Sequence, residues 1–170
     1  MKLSKMNLLS VMERRFSMNE IPDKIYESIT ELCNVGDKLV DEERYSEAVG
    51  KYFEAFDLLP KPETDWEAST WILTAIGDAN YLMKNYEAGR DNLISVMHCP
   101  NAIGNPFIHL RLGQCRYELE EYDKAADELA RAFLLEGEEI FANEDKKYLD
   151  FVKSKLDEPS GGWNHKKIAD

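Results

Sequence analysis

From Ile25 onward the apolar positions fall three and four residues apart, the period of an α-helix with one buried face. Ile25, Ile29, Leu32, Val35/Gly36 and Leu39 form one stripe. Asp41-Glu42-Glu43 breaks it as a turn. Tyr45, Ala48, Val49, Tyr52, Ala55, Phe56 and Leu59 form a second stripe, and Pro60 ends it. The pattern predicts two helices folded back on each other. A pair this short cannot bury its own apolar faces, so it needs neighbours of the same kind.

The chain supplies them. Trp66, Trp71, Leu73, Ile76, Gly77 and Asn80 predict a third helix, Lys84-Asn85 a turn, and Tyr86, Gly89, Leu93 and Val96 a fourth helix. The stretch Cys99 to Pro106 is rich in turn formers and reads as a loop. Phe107, Leu110, Leu112, Gly113 and Tyr117 open a third pair, Glu120-Glu121 turns it, and Tyr122, Ala125, Ala126, Leu129, Ala132 and Phe133 complete it. Three glycines set the register. Gly36, Gly77 and Gly113 are each followed nine residues later by Tyr45, Tyr86 or Tyr122. Twelve residues on stand Ala48, Gly89 and Ala125; sixteen on, Tyr52, Leu93 and Leu129; nineteen on, Ala55, Val96 and Ala132.

This set of offsets resembles the tetratricopeptide repeat, a helix–turn–helix unit of about 34 residues with small residues where neighbouring helices touch. The resemblance runs from about Ile29 to Gly137. The first repeat matches best. The second has Gly89 at the usual alanine and Asn101 at the closing proline, and the third has Gly137 there. It implies an all-α fold, a right-handed α-solenoid of three repeats over 22–60, 62–99 and 104–137, closed by terminal capping helices. The surplus residues between Pro60 and Trp71 suggest that the first helix of repeat two extends backwards. An amphipathic stripe in residues 1–20 and a helix over 143–157 fit the caps, whose outer faces must be polar. Residues 1–158 then form one domain, and the Gly/Pro/Ser-rich tail 159–170 is expected to be mobile.

Composition narrows the function classes. Of 170 residues, 44% are apolar, the level of a globular chain. No apolar run is long enough to span a membrane. The net charge of −12 is uneven: residues 1–20 carry +2, 21–142 carry −14 and 143–170 carry zero. An acidic body repels nucleic acid and anionic lipid and attracts basic proteins. Cys33, Cys99 and Cys115 are odd in number and far apart, so they read as small buried hydrophobes in a reducing, cytoplasmic setting.

No catalytic signature is present: no Gly-rich phosphate loop, HExxH, CxxC or GxSxG. His98, His109 and His165 are dispersed and read as surface imidazoles. His109 and Cys115 point to different sides of a helix, so no metal or other cofactor is expected. Arg111, Arg116 and Arg131 read as partners of neighbouring acids, such as Glu128 with Arg131.

The resemblance implies that the first helix of each repeat lines a concave groove. Its groove-facing positions are Thr30, Cys33, Asp37, Val40 and Asp41 in repeat one, Trp71, Thr74, Asp78, Tyr81 and Leu82 in repeat two, and Phe107, Leu110, Gln114, Tyr117 and Glu118 in repeat three. Asp37, Asp78 and Gln114 are equivalent, each one residue after its glycine. Members that clamp the C-terminal carboxylate of heat-shock chaperones carry asparagine and lysine around that position, so two aspartates argue against that role. Asp37, Asp41, Trp71, Asp78, Tyr81, Phe107, Gln114 and Tyr117 are the candidate partner-binding residues: aromatic anchors ringed by acids, suited to a basic or amphipathic protein segment. Two classes of function follow. One is a non-catalytic binding module, such as an immunity protein that neutralises a toxin, or a secretion or assembly chaperone. The other is a structural protein in which exposed aromatics join two copies as a homodimer.

Overall fold

The computed structural model describes residues 21–156. The predicted N-terminal helix over 1–20 and the tail 159–170 lie outside the described residues. Seven α-helices follow one another: α1 (Asp23–Asp41), α2 (Tyr45–Phe56), α3 (Glu67–Leu82), α4 (Tyr86–Val96), α5 (Pro106–Glu118), α6 (Tyr122–Glu136) and α7 (Lys146–Lys155). Short 3₁₀ turns at Glu63–Asp65 and Gly137–Phe141 join α2 to α3 and α6 to α7. There is no strand among the described residues.

The helices pair as α1 with α2, α3 with α4 and α5 with α6. Each pair also packs on the next, α2 against α3 and α4 against α5. Contacts between sequential neighbours dominate, as in an α-solenoid, and α3 also touches α5. The register glycines sit where helices approach closest. A methyl group on Gly36, Gly77 or Gly113 would come within 2.5 Å of Tyr52, 2.5 Å of Leu93 or 2.7 Å of Leu129. Those partners stand at the sixteenth offset in each repeat.

Each turn inside a pair is built alike. Glu43, Lys84 and Glu120 lie seven residues after their glycines and adopt left-handed φ values of 60°, 62° and 61°. The Arg44, Asn85 and Glu121 amides donate back to Leu39, Asn80 and Arg116 carbonyls, and the Glu43, Lys84 and Glu120 amides donate to Val40, Tyr81 and Tyr117. This double bond closes the helix end in the Schellman manner. Asparagine and aspartate open the later helices: Asn85, Asn105 and Asp145 accept from the Ala88, Phe107 and Lys147 amides.

Two apolar clusters form the core. The larger runs through Ile29, Tyr52, Ile72, Ile76, Leu93, Val96, Ile108 and Leu112. The smaller joins Leu110, Leu129, Ala132, Phe141, Tyr148 and Val152. Helix α5 serves both, so every residue from Ile108 to Cys115 is buried. Cys33, Cys99 and Cys115 are buried free thiols. Burial, with Asp37 nearby, pushes the Cys33 thiol up to about 12.

Helix α3 starts at Glu67, ahead of Trp71, after the 3₁₀ turn, where the Trp66 indole N–H donates to the Pro60 carbonyl at 2.7 Å. Two sequence expectations need correction. Arg131 pairs with Asp127, not Glu128. His109 is no surface imidazole: it is 4% exposed, with Nδ1 2.6 Å from a Glu128 carboxylate oxygen and Nε2 2.7 Å from the Ile103 carbonyl oxygen. Glu128 also takes Arg116 at 3.2 Å. Both ring nitrogens face acceptors, so the cationic ring satisfies both bonds. Bonding to Glu128, and then to Ile103, holds His109 above the usual histidine range against the pull of burial.

Two predictions follow from these local geometries. Glu43, Lys84 and Glu120 are exposed side chains in a conformation that costs an L-residue about 1 kcal/mol. Glycine at any one of them should therefore stabilise the fold by about 0.5–1 kcal/mol, seen as a higher urea midpoint. For His109, the folded pKa lies above the unfolded one. Its contribution is complete below the unfolded value and fades as pH rises through the folded value. Replacing His109 by glutamine should cost about 1.5–3 kcal/mol at pH 6 and less at pH 9, measured by denaturant unfolding at both.

Candidate functional site

The face shared by α1, α3 and α5 divides into two unlike halves. At the α1 end, Asp37 accepts a hydrogen bond from the Tyr52 hydroxyl at 2.7 Å. Burial pushes the Asp37 carboxyl up, the Tyr52 bond pulls it down, and Asp41 pushes it up again. Asp41 is exposed, and Thr30 and Val40 are half-buried. Trp71, one turn into α3, is half-buried and belongs to neither core cluster. A shallow trough of about 430 Å³ adjoins this end along α1, lined by residues that include Glu27, Thr30, Glu31 and Val35.

At the α5 end the face is filled. Arg111 is 2% exposed. Its Nε lies 2.6 Å from Asp78 on α3. Its Nη1 donates to Gln114 at 2.7 Å and to Glu144 at 3.1 Å. Gln114 Nε2 donates to the same Glu144 oxygen at 2.8 Å. The guanidinium sits 4.2 Å from the Tyr81 ring centre and 5.1 Å from that of Phe107, within range of the ring quadrupoles. Burial pushes the Asp78 carboxyl up while the Arg111 charge pulls the other way.

The segment after α6 completes this half. The Tyr148 hydroxyl donates to Glu118 at 2.6 Å and lies 3.0 Å from the Tyr81 hydroxyl. Lys147 pairs with Glu118 at 2.7 Å. The Tyr117 ring stacks edge-on against Tyr148 and Phe151, with centroids 5.4 and 5.0 Å apart. Among the described residues, no group of three His, Cys, Asp or Glu could hold a metal ion. No described helix is long and apolar enough to cross a membrane.

No protein-family model matches the chain, and no curated protein matches it in sequence. Solved structures do match in fold. The C-terminal tetratricopeptide-containing domain of a Plasmodium falciparum FK506-binding protein aligns at TM-score 0.63 and 14% identity, over 80% of this chain and 91% of that one. The Yersinia enterocolitica type III secretion chaperone SycD, in complex with a peptide of the translocator YopD, aligns at 0.60 and 15%, over 80% and 95%. The second such domain of human RPAP3, in complex with the HSP70 peptide SGPTIEEVD, aligns at 0.59 and 13%, over 78% and 99%.

The fold is a tetratricopeptide-repeat fold. On the face shared by α1, α3 and α5, the structure gathers five of the eight candidate residues, Asp78, Tyr81, Phe107, Gln114 and Tyr117, around the chain's own Arg111, Glu144 and Tyr148. Asp37, Asp41 and Trp71 stand apart at the other end. Cys33, Thr74 and Leu110, also assigned to the groove, are fully buried between helices instead. Sequence reasoning read Arg111 as a partner of neighbouring acids, whereas its carboxylates are the distant Asp78 and Glu144, and it passed over Glu144. A signal for Arg111 existed: it is the one charged residue in Ile108-His109-Leu110-Arg111-Leu112 that neither neighbouring turn balances, and it stands where Asn34 and Ala75 stand in the other repeats. Glu144 had none, because nothing local marks an acid in a loop.

Removing the guanidinium would leave two carboxylates facing each other in the groove. Arg111→Ala should destabilise the chain by about 3–5 kcal/mol at pH 7. Adding Glu144→Ala should restore part of the loss, because these two changes share one network. A double-mutant cycle by urea unfolding measures that coupling.

Proposed function

We propose that the chain is a non-catalytic protein-binding module that holds a basic or amphipathic segment in the α1 end of its groove. The supporting observation is the division of the groove: the chain's own residues occupy the α5 end, and Asp37, Asp41 and Trp71 line the other. The two carboxylates suit an arginine or lysine, and the half-buried indole, further along the same face, suits an apolar neighbour of it. The acidic body raises the rate at which a basic partner arrives.

SycD and RPAP3 hold peptides on the same fold. That usage supports a segment-binding role here. A secretion or assembly chaperone and a toxin-neutralising immunity protein are two forms of it. The likeness to SycD supports the chaperone form, and a folded toxin domain as the captured partner would support the immunity form. Pairing of two copies through the aromatics has less support, since Tyr81, Phe107 and Tyr117 are packed within the chain.

Affinity capture from a native lysate of the source cell tests the reading. The intact chain should retain a basic protein. Asp37→Lys with Asp41→Lys should lose it, and Trp71→Ala should weaken it by about tenfold or more. Retention of the same partner by the charge-reversed chain would overturn the assignment.

A further inference from the structure

The α5 end of the groove is closed by residues 141–156, which dock through apolar and polar contacts together. Phe141, Tyr148 and Val152 enter the smaller apolar cluster beside Leu110, Leu129 and Ala132. Three polar anchors add to that packing: Glu144 on Arg111 and Gln114, Tyr148 between Glu118 and Tyr81, and Lys147 on Glu118. Only the Arg111–Glu144 pair among them is a buried ion pair, in which desolvation offsets much of the Coulomb gain.

Charge bookkeeping sharpens the point. Without the strap, Arg111 has one counter-ion, Asp78, at 2.6 Å, and the pair is neutral. The docked strap brings a second carboxylate, Glu144, to the same guanidinium. Glu144 and Asp78 then oppose each other. The Asp78–Arg111 pair is thus balanced in charge without the strap, and Glu144 adds a carboxylate that neutrality of the pair does not require. Gly137 lies between α6 and the strap at φ 77°, a conformation that favours glycine. Ala142, Asn143 and Asp145 around the Glu144 anchor are exposed.

We propose that residues 141–156 are an exchangeable internal ligand, and that the α5 end of the groove is an acceptor site for a protein segment offering a carboxylate and a phenol four residues apart. Arg111 and Gln114 take the carboxylate, Glu118 and Tyr81 take the phenol, and Tyr117 stacks on the ring. The apolar residue a further turn on, Val152 in the strap, packs on the Leu110–Leu129 cluster. The site is separate from the acidic α1 end and does not depend on the function proposed for it.

A fluorescent synthetic peptide of residues 141–156 is the probe, added to the full chain. The wild-type chain should bind it weakly, because its own strap competes at high effective concentration. The full chain carrying Glu144→Gln and Tyr148→Phe should bind the unaltered peptide at least about 30-fold more tightly. The same two changes in the peptide should abolish that gain. Equal binding by both chains, no binding by either, or indifference to the peptide changes would overturn the proposal. Hydrogen exchange on the unaltered chain gives a reading that no folding defect can obscure. Amides of α7 should exchange through an opening that leaves α5 and α6 protected. Exchange of α7 only with global unfolding would equally overturn it.

Discussion

A guanidinium taken from water into a protein is costly unless its charge and all its donors are met. Arg111 sits at 2% exposure in the middle of α5, the helix that both apolar clusters share. Its surroundings meet the charge and the Nη1 donor, while Nε is paired with Asp78 by charge without a well-aligned hydrogen bond. Asp78 comes from α3, Gln114 from its own helix, Glu144 from the segment after α6, and the rings of Tyr81 and Phe107 cover its faces. One side chain therefore ties the second repeat, the third repeat and the C-terminal strap together. It also decides which part of the groove is filled.

The equivalent residues after the three glycines show how one register yields three environments. Asp37 meets the Tyr52 hydroxyl, because a tyrosine fills the sixteenth offset in the first repeat. The second and third repeats carry Leu93 and Leu129 there, which offer no donor. Asp78 is served instead by Arg111 from the next repeat, and Gln114 bridges Arg111 to Glu144. Backbone position repeats along the solenoid; polar partners do not. The groove is consequently asymmetric, acidic at the α1 end and internally satisfied at the α5 end.

Outside the groove, a second polar cluster has a different task. His109, Glu128 and Arg116 join α5 to α6, and the His109–Ile103 bond adds the loop that precedes α5. Buried thiols at Cys33 and Cys115, both pushed up to about 12 mainly by burial, are packing groups rather than nucleophiles. Charge, rings and hydrogen bonds are thus placed unevenly on a repeated helical frame.

The sequence by itself determined the frame. Helical spacing is a local property, and the glycine offsets record close approaches that every repeat must make, so three helix pairs were legible from Gly36, Gly77 and Gly113 alone. The left-handed turns at Glu43, Lys84 and Glu120 were hidden, since glutamate and lysine carry no mark of that conformation. The groove register placed Asp78 and Gln114 on α3 and α5, yet it could not say what they face. Only the tertiary structure decided that. The Arg111–Glu144 and Tyr81–Tyr148 contacts join residues 33 and 67 positions apart. Such pairings depend on how the strap folds back after Gly137; periodicity marks its helix but holds no information about where a segment that leaves the repeat will dock.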